Sequence, residues 1–145
     1  MKKLKNINWE EWEILATKKR YYAQGYELDV PGCYLLGITD LSKSKIKNYE
    51  LDDDDVQIVY IGESDSIMNR LNSYGETGSH KKDNIDYHLK KGFKLCFCFY
   101  ETKNKKEAQE IEYRFLMKYN FDWNIKNNKK LPLTLNNTTY KERCI

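Results

Sequence analysis

Three β-prone runs constrain the fold of this chain most: CYLLGIT at 33–39, VQIVYIG at 56–62 and FKLCFCFYE at 93–101. Only the polar stretch SKSKIKNYELDDDD, residues 42–55, separates the first two. With nothing helical between them, they are expected to pair as antiparallel neighbours. The third run alternates, with Phe93, Leu95, Phe97 and Phe99 on one face and Lys94, Cys96, Cys98 and Tyr100 on the other.

Helical patterns surround these runs. Asn8 ahead of WEEWEIL reads as an N-cap with acids in the first turn, which predicts a helix to about Tyr22, ending by Gly25. Ser64 or Asp65 can cap a second helix through Tyr74, on the repeat Ile67, Leu71, Tyr74. A third is expected from about Lys82 to Lys91, stopping at Gly92. A fourth, KKEAQEIEYRFLMKY, opens at Asn104 and stops near Asn120. The order predicts an α+β fold, a small and mainly antiparallel three-stranded sheet flanked by helices, with an extra N-terminal helix. At 145 residues the chain reads as one domain, with a core over about 31–126, an N-terminal helical extension over 1–30 and a tail over 127–145.

Composition excludes several classes. No run approaches the ~20 apolar residues of a membrane helix, and no apolar segment follows the N-terminal lysines as a signal peptide requires. Cys33, Cys96, Cys98 and Cys144 form no CxxC pair, so buried thiols are expected rather than a zinc site. The expected location is therefore cytoplasmic. A net charge of +3 permits a nucleic-acid partner without demanding one.

The fourth helix holds a residue that does not fit. Its apolar stripe is Ala108, Ile111, Phe115, Leu116 and Tyr119, and Glu112 stands in the middle of that face. A buried carboxylate must be paired, bound to a cation or placed at the mouth of a cleft. Otherwise Glu112 lies at the stripe's edge with its head in water. Arg70 likewise borders the stripe of the second helix, where a snorkelling surface side chain is the ordinary reading.

Taken in order, PGCYLL, VYIG, Arg70, Glu112 and the dipeptide Trp123–Asn124 resemble the GIY-YIG nuclease superfamily. The first signature tripeptide stands as Gly32–Cys33–Tyr34 and the second as Tyr60–Ile61–Gly62. Arg70 takes the position of the family's arginine and Tyr74 that of its His or Tyr. Glu112 takes that of its metal-binding Glu, and Asn124 that of its closing Asn. The likeness spans residues 31–126. Departures are Cys33 in place of Ile, an insertion over 40–55, and Glu63 where a small or basic residue often follows the second motif.

The resemblance implies a Mg²⁺-dependent (or Mn²⁺-dependent) endonuclease acting on DNA, of the stand-alone restriction or phage type, with a homodimer as one way to cut both strands. Its catalytic set would be Tyr34, Tyr60, Arg70, Tyr74, Glu112 and Asn124. Glu112 would hold the metal, and Tyr34, its pKa lowered by Arg70 or a metal-bound water, would activate water. Tyr60 and Tyr74 would position that water or the phosphate. His80, Lys81, Lys82, Lys129 and Lys130 are candidate DNA contacts, while His88, inside a helix, is expected to be structural. Two other readings stand beside this one. The fold could serve as a nucleic-acid-binding module that does not cut. Alternatively, Trp9 and Trp12 could present an apolar helix face to a partner protein.

Overall fold

The computed structural model describes residues 7–17, 20–21, 28–40, 55–74, 81–124 and 140–142. Its strands are β1 (Glu13–Thr17), β2 (Arg20–Tyr21), β3 (Gly32–Thr39), β4 (Gln57–Ser64), β5 (Lys94–Glu101), β6 (Tyr119–Phe121) and β7 (Tyr140–Glu142). Its α-helices are α1 (Ile67–Ser73), α2 (Lys82–Lys90) and α3 (Lys105–Lys118), and a 3-10 turn spans Asp122–Asn124. The main sheet runs in the order β2-β1-β5-β3-β4, and β6 pairs with β7 in a second, two-stranded ladder. The architecture is α+β, and every strand pair is antiparallel, including the expected pairing of β3 with β4.

The predicted N-terminal helix and the three-stranded count are both corrected. The segment after Asn8 forms β1, which pairs with β5 through Glu13↔Phe97 and Ile14↔Cys96, and the two-residue β2 extends the sheet further. The cap signal at Asn8 is local, whereas the demand that wins is not. Without β1, one edge of β5 would leave its N–H and C=O groups unpaired over a hydrophobic core. Trp9 and Trp12 are buried, and Trp9 packs on Tyr100 and Phe115 with ring centroids 6.3 Å apart in each case. They fill the core and present no face to a partner.

Two hydrophobic clusters lie on opposite faces of the sheet. One gathers Tyr34, Leu36, Tyr60, Leu95 and Phe97 under Ile67 and Leu71 of α1, Ile85 and Leu89 of α2, and Trp123. The other gathers Cys33, Leu35, Ile58, Ile61, Cys96 and Cys98 under Ala108 and Ile111 of α3, with Trp9, Trp12 and Phe121. β5 divides its residues between the faces as its alternation predicts. The chain after α3 moves from one cluster to the other, with Phe121 in the second and Trp123 in the first.

The helix signals hold with small shifts. Asn104 caps α3, its Oδ1 accepting from the Glu107 N–H at 2.9 Å. Gly92, after α2, takes a φ of +93°, a left-handed value suited to glycine. For α1 the capping residue is Ser66 rather than Ser64 or Asp65: its Oγ accepts from the Asn69 N–H at 3.3 Å and donates to Asp29 Oδ1 at 2.7 Å.

A bulge in β4 decides where its tyrosine goes. Leu36 pairs with Tyr60 and Gly37 with Ile58, so Val59 is an extra residue on that strand. Strict alternation would put Ile58 and Tyr60 on one face. The bulge sends Ile58 toward α3 and Tyr60 toward Tyr34.

Candidate active site

β3 and β4 bring the two signature tyrosines together, and α1 supplies the third. The rings of Tyr34, Tyr60 and Tyr74 form a near-equilateral triangle, with centroids 6.1, 6.2 and 6.4 Å apart. The hydroxyls of Tyr34 and Tyr74 share a hydrogen bond that either can donate. Gly62 makes the room: it faces Tyr34 across the ladder, and a Cβ there would overlap the Tyr34 ring and hydroxyl. Exposure falls from 8% at Tyr60 to 1% at Tyr74 and 0% at Tyr34, so Tyr60 is the most exposed of the three residues.

Arg70, one turn into α1 and partly buried, lies within electrostatic reach of this cluster. Burial works against its charge, but the surrounding Tyr34, Tyr74 and Tyr60 phenols outweigh that and raise its pKa. The guanidinium is charged at any ordinary pH. The phenols move the other way from the sequence expectation. Burial, reinforced by the neighbouring phenols, holds Tyr34 well above the ordinary value of 10.0, with Arg70 offsetting only part of it. Burial likewise raises Tyr60 and Tyr74. All three hydroxyls keep their protons in the resting site.

Glu112 projects from the half-buried edge of α3, which packs across β3 and β4. Burial, and then the charge of Glu63, push its carboxyl up from 4.5 to about 7, against the pull of Arg70. The same field reaches Tyr60, whose pKa Glu112 raises. Glu112 is therefore electrostatically coupled to both Arg70 and Tyr60. β4 lies at the end of the sheet order, with α3 packed over it on one face and the tyrosine cluster on the other. Glu63 adds a second acid, with one oxygen, Oε2, buried and lacking a hydrogen-bond partner. Cys33, the departure from the usual Ile, donates its thiol hydrogen to the Ala108 carbonyl of α3 at 2.9 Å. Burial, then the Glu112 charge, push that thiol up to about 12, so it packs as an inert group.

Asn124 braces the strand from outside. Its Oδ1 accepts from the Ile61 N–H at 2.8 Å and its Nδ2 donates to the Ile61 carbonyl at 2.9 Å. The carboxamide thus stands in for a neighbouring strand at the middle residue of Tyr60–Ile61–Gly62.

Of the candidate DNA contacts, Lys81 is corrected. Its side chain is buried at 6% exposure, its ammonium donates to the Trp123 carbonyl, and its Nζ stands 5.0 Å from the Tyr60 ring centroid. Lys82 opens α2, and His80, Lys129 and Lys130 lie outside the described residues.

His88 is buried among aromatic rings, with centroids 5.5 Å from Trp123 and 5.9 Å from Phe93. Its Nδ1 lies 2.8 Å from the Asn84 carbonyl, so that nitrogen holds the hydrogen, while Nε2 is buried with no partner. Burial lowers its pKa from 6.5, opposed by the Asn84 hydrogen bond and aided by Lys91. The unfolded chain then takes up the proton at higher pH than the folded one. The resulting stability is complete above about 6.5 and is lost as pH falls through and below that value. As pH falls from 7 to 5, the melting temperature of the wild type should shift downward relative to that of His88→Leu. Equal shifts would show that the neutral imidazole contributes nothing.

A family model described as GIY-YIG domain-containing protein matches residues 4–133. The chain belongs to the GIY-YIG family. GIY-YIG domains are generally nucleases, and the tyrosine, arginine, glutamate and asparagine positions described above fall within the matched span. A relative, Protein EFFECTOR OF TRANSCRIPTION 2 of Arabidopsis thaliana, is 24% identical over 143 residues, covering 81% of this chain and 29% of that protein. The chain thus spans less than a third of the length of that curated relative. No solved structure matches the chain significantly. No α-helix among the described residues is long and apolar enough to cross a membrane.

Proposed function

We propose that this GIY-YIG domain is a metal-dependent DNA endonuclease, of restriction type, that hydrolyses phosphodiesters at the edge of β4. The observation that supports it most is Glu112, a half-buried acid pushed up to about 7, coupled to Arg70 on one side and the Tyr60 phenol on the other. A carboxyl held in that condition is poorly suited to structure alone and well suited to receiving a cation.

The donor set fits a hard divalent ion. Glu112 and the unpartnered Oε2 of Glu63 offer oxygens only, the chemistry Mg²⁺ and Mn²⁺ prefer. Few protein oxygens suffice for such an ion, which keeps most of its waters. When bound, the cation supplies Lewis-acid stabilisation of the departing oxygen.

The remaining roles belong to the chain. Water adds to phosphorus as the bond to the 3′ oxygen breaks, and that oxygen leaves with a proton. Arg70 offers its planar donors to the non-bridging oxygens, where negative charge grows. Tyr60, the most exposed of the three tyrosines, touches the phosphate or the attacking water. Tyr34 and Tyr74, joined hydroxyl to hydroxyl, pack against Tyr60 and hold its ring. Asn124 keeps Ile61, and so the neighbouring Tyr60, in register.

Incubation with supercoiled plasmid tests the reading. Nicking or linearisation that needs Mg²⁺ or Mn²⁺ and stops with EDTA is expected. At limiting metal, cleavage should rise with pH through about 7, because Glu112 must lose its proton to hold the ion. Saturating metal should move that midpoint downward. A second reading is a nucleic-acid-binding module that does not cut; the Arabidopsis relative is named an effector of transcription. Plasmid bound but left intact under every metal would establish that alternative.

A further inference from the structure

Lys81 is the buried cation left outside the roles above. At the start of α2 it has no side-chain cap role, and its ammonium is turned inward. Enclosing an ammonium is costly unless it gains compensating contacts. Here a carbonyl, at Trp123, and an aromatic face, at Tyr60, provide them.

These contacts close a circuit. Lys81 joins Tyr60 to Trp123; the next residue, Asn124, takes both backbone groups of Ile61; and Ile61 is bonded to Tyr60. Each link on its own is a modest interaction. A closed ring of links removes the freedom each would have singly, and it ties α2, the 3-10 turn and β4 together at one point.

We infer that Lys81 is a positioning residue, an internal brace that holds Asn124 on Ile61 and thereby sets the Tyr60 phenol in the site. Its kinetic consequence rests on the nuclease reading; its structural one does not. A lysine that gripped DNA phosphate would instead present its ammonium to solvent and add to the salt dependence of binding.

Lys81→Met, which keeps the length and removes the charge, tests the brace with two measurements. The first is hydrogen exchange at the Ile61 amide, followed by NMR. It should accelerate by about tenfold, the scale of one hydrogen bond, while the Leu36 and Phe97 amides of the central strands exchange as in the wild type. The second is kinetics: kcat should fall while KM, DNA affinity and its salt slope stay as they were. Lys81→Arg, able to reach both a carbonyl and a ring face, should restore part of both. If Lys81→Met does not fold, Lys81→Gln reads the same two quantities with the charge gone.

Unchanged exchange at Ile61, or acceleration shared by every core amide, would overturn the brace. So would a loss of affinity with a shallower salt slope and unaltered kcat, the signature of a phosphate contact. A wild-type protein that cuts nothing, in which Ile61 still responds to Lys81→Met, would end the nuclease reading and leave the brace in place.

Discussion

In Glu112→Gln, metal-dependent plasmid cleavage falls by about 10³-fold or more, the scale of losing a group that stabilises transition-state charge. Glutamine is nearly isosteric but cannot carry the negative charge a divalent ion needs. DNA affinity should change little, because the phosphate-facing donors remain.

The same substitution has a stability signature. The folded protein holds the Glu112 proton more tightly than the unfolded chain, with a pKa of about 7 against 4.5. Its contribution is therefore complete below about 4.5 and is lost as pH rises through about 7. Glu112→Gln stays neutral throughout and should escape that loss. Between pH 5 and pH 8 the melting temperature of the variant should rise relative to that of the wild type. Cleavage retained in Glu112→Gln would remove this residue from the chemistry.

The second large effect is expected at Gly62→Ala. The added methyl occupies the place of the Tyr34 ring and hydroxyl, and Tyr34 is fully enclosed, so no flexible end can yield. Overpacking of this kind costs about 1–3 kcal/mol, which corresponds to a fall in Tm of about 3–10 °C for a chain of this size. Because the displaced phenol is hydrogen-bonded to Tyr74 and lies in the field of Arg70, cleavage should fall with it, even at temperatures where the variant is folded. A Gly62→Ala protein that melts with the wild type would show that Tyr34 does not fill the space over residue 62.

Much of this architecture was legible locally. Alternation in FKLCFCFYE assigned Leu95 and Phe97 to one face and Cys96 and Cys98 to the other, because a strand's two-residue period needs no partner to be read. Asn104 and Gly92 marked helix ends because capping is a contact within one turn. Asn8 carried a similar signal and misled. What it promised was a helix start, and what β5 required was a neighbour, a demand arising nearly ninety residues away in the chain.

Lys81 was misread for a related reason. A lysine at a helix start is ordinarily solvated, whereas here the Trp123 carbonyl and the Tyr60 ring, both distant in sequence, lie against its ammonium. The Val59 bulge left no trace in VQIVYIG, since a run of β-branched residues looks the same with or without it.

By itself, the sequence determined which side chains are available for chemistry and which local elements carry most of them, because hydrophobic period, caps and the two signature tripeptides are short-range properties of the chain. Only the tertiary structure decided that Glu112 on α3 and Arg70 on α1 face a common edge strand, that Asn124 grips Ile61, and that the three phenols remain protonated. Those outcomes depend on desolvation and on the pairing of groups far apart in the chain, and both quantities exist only once the core has closed.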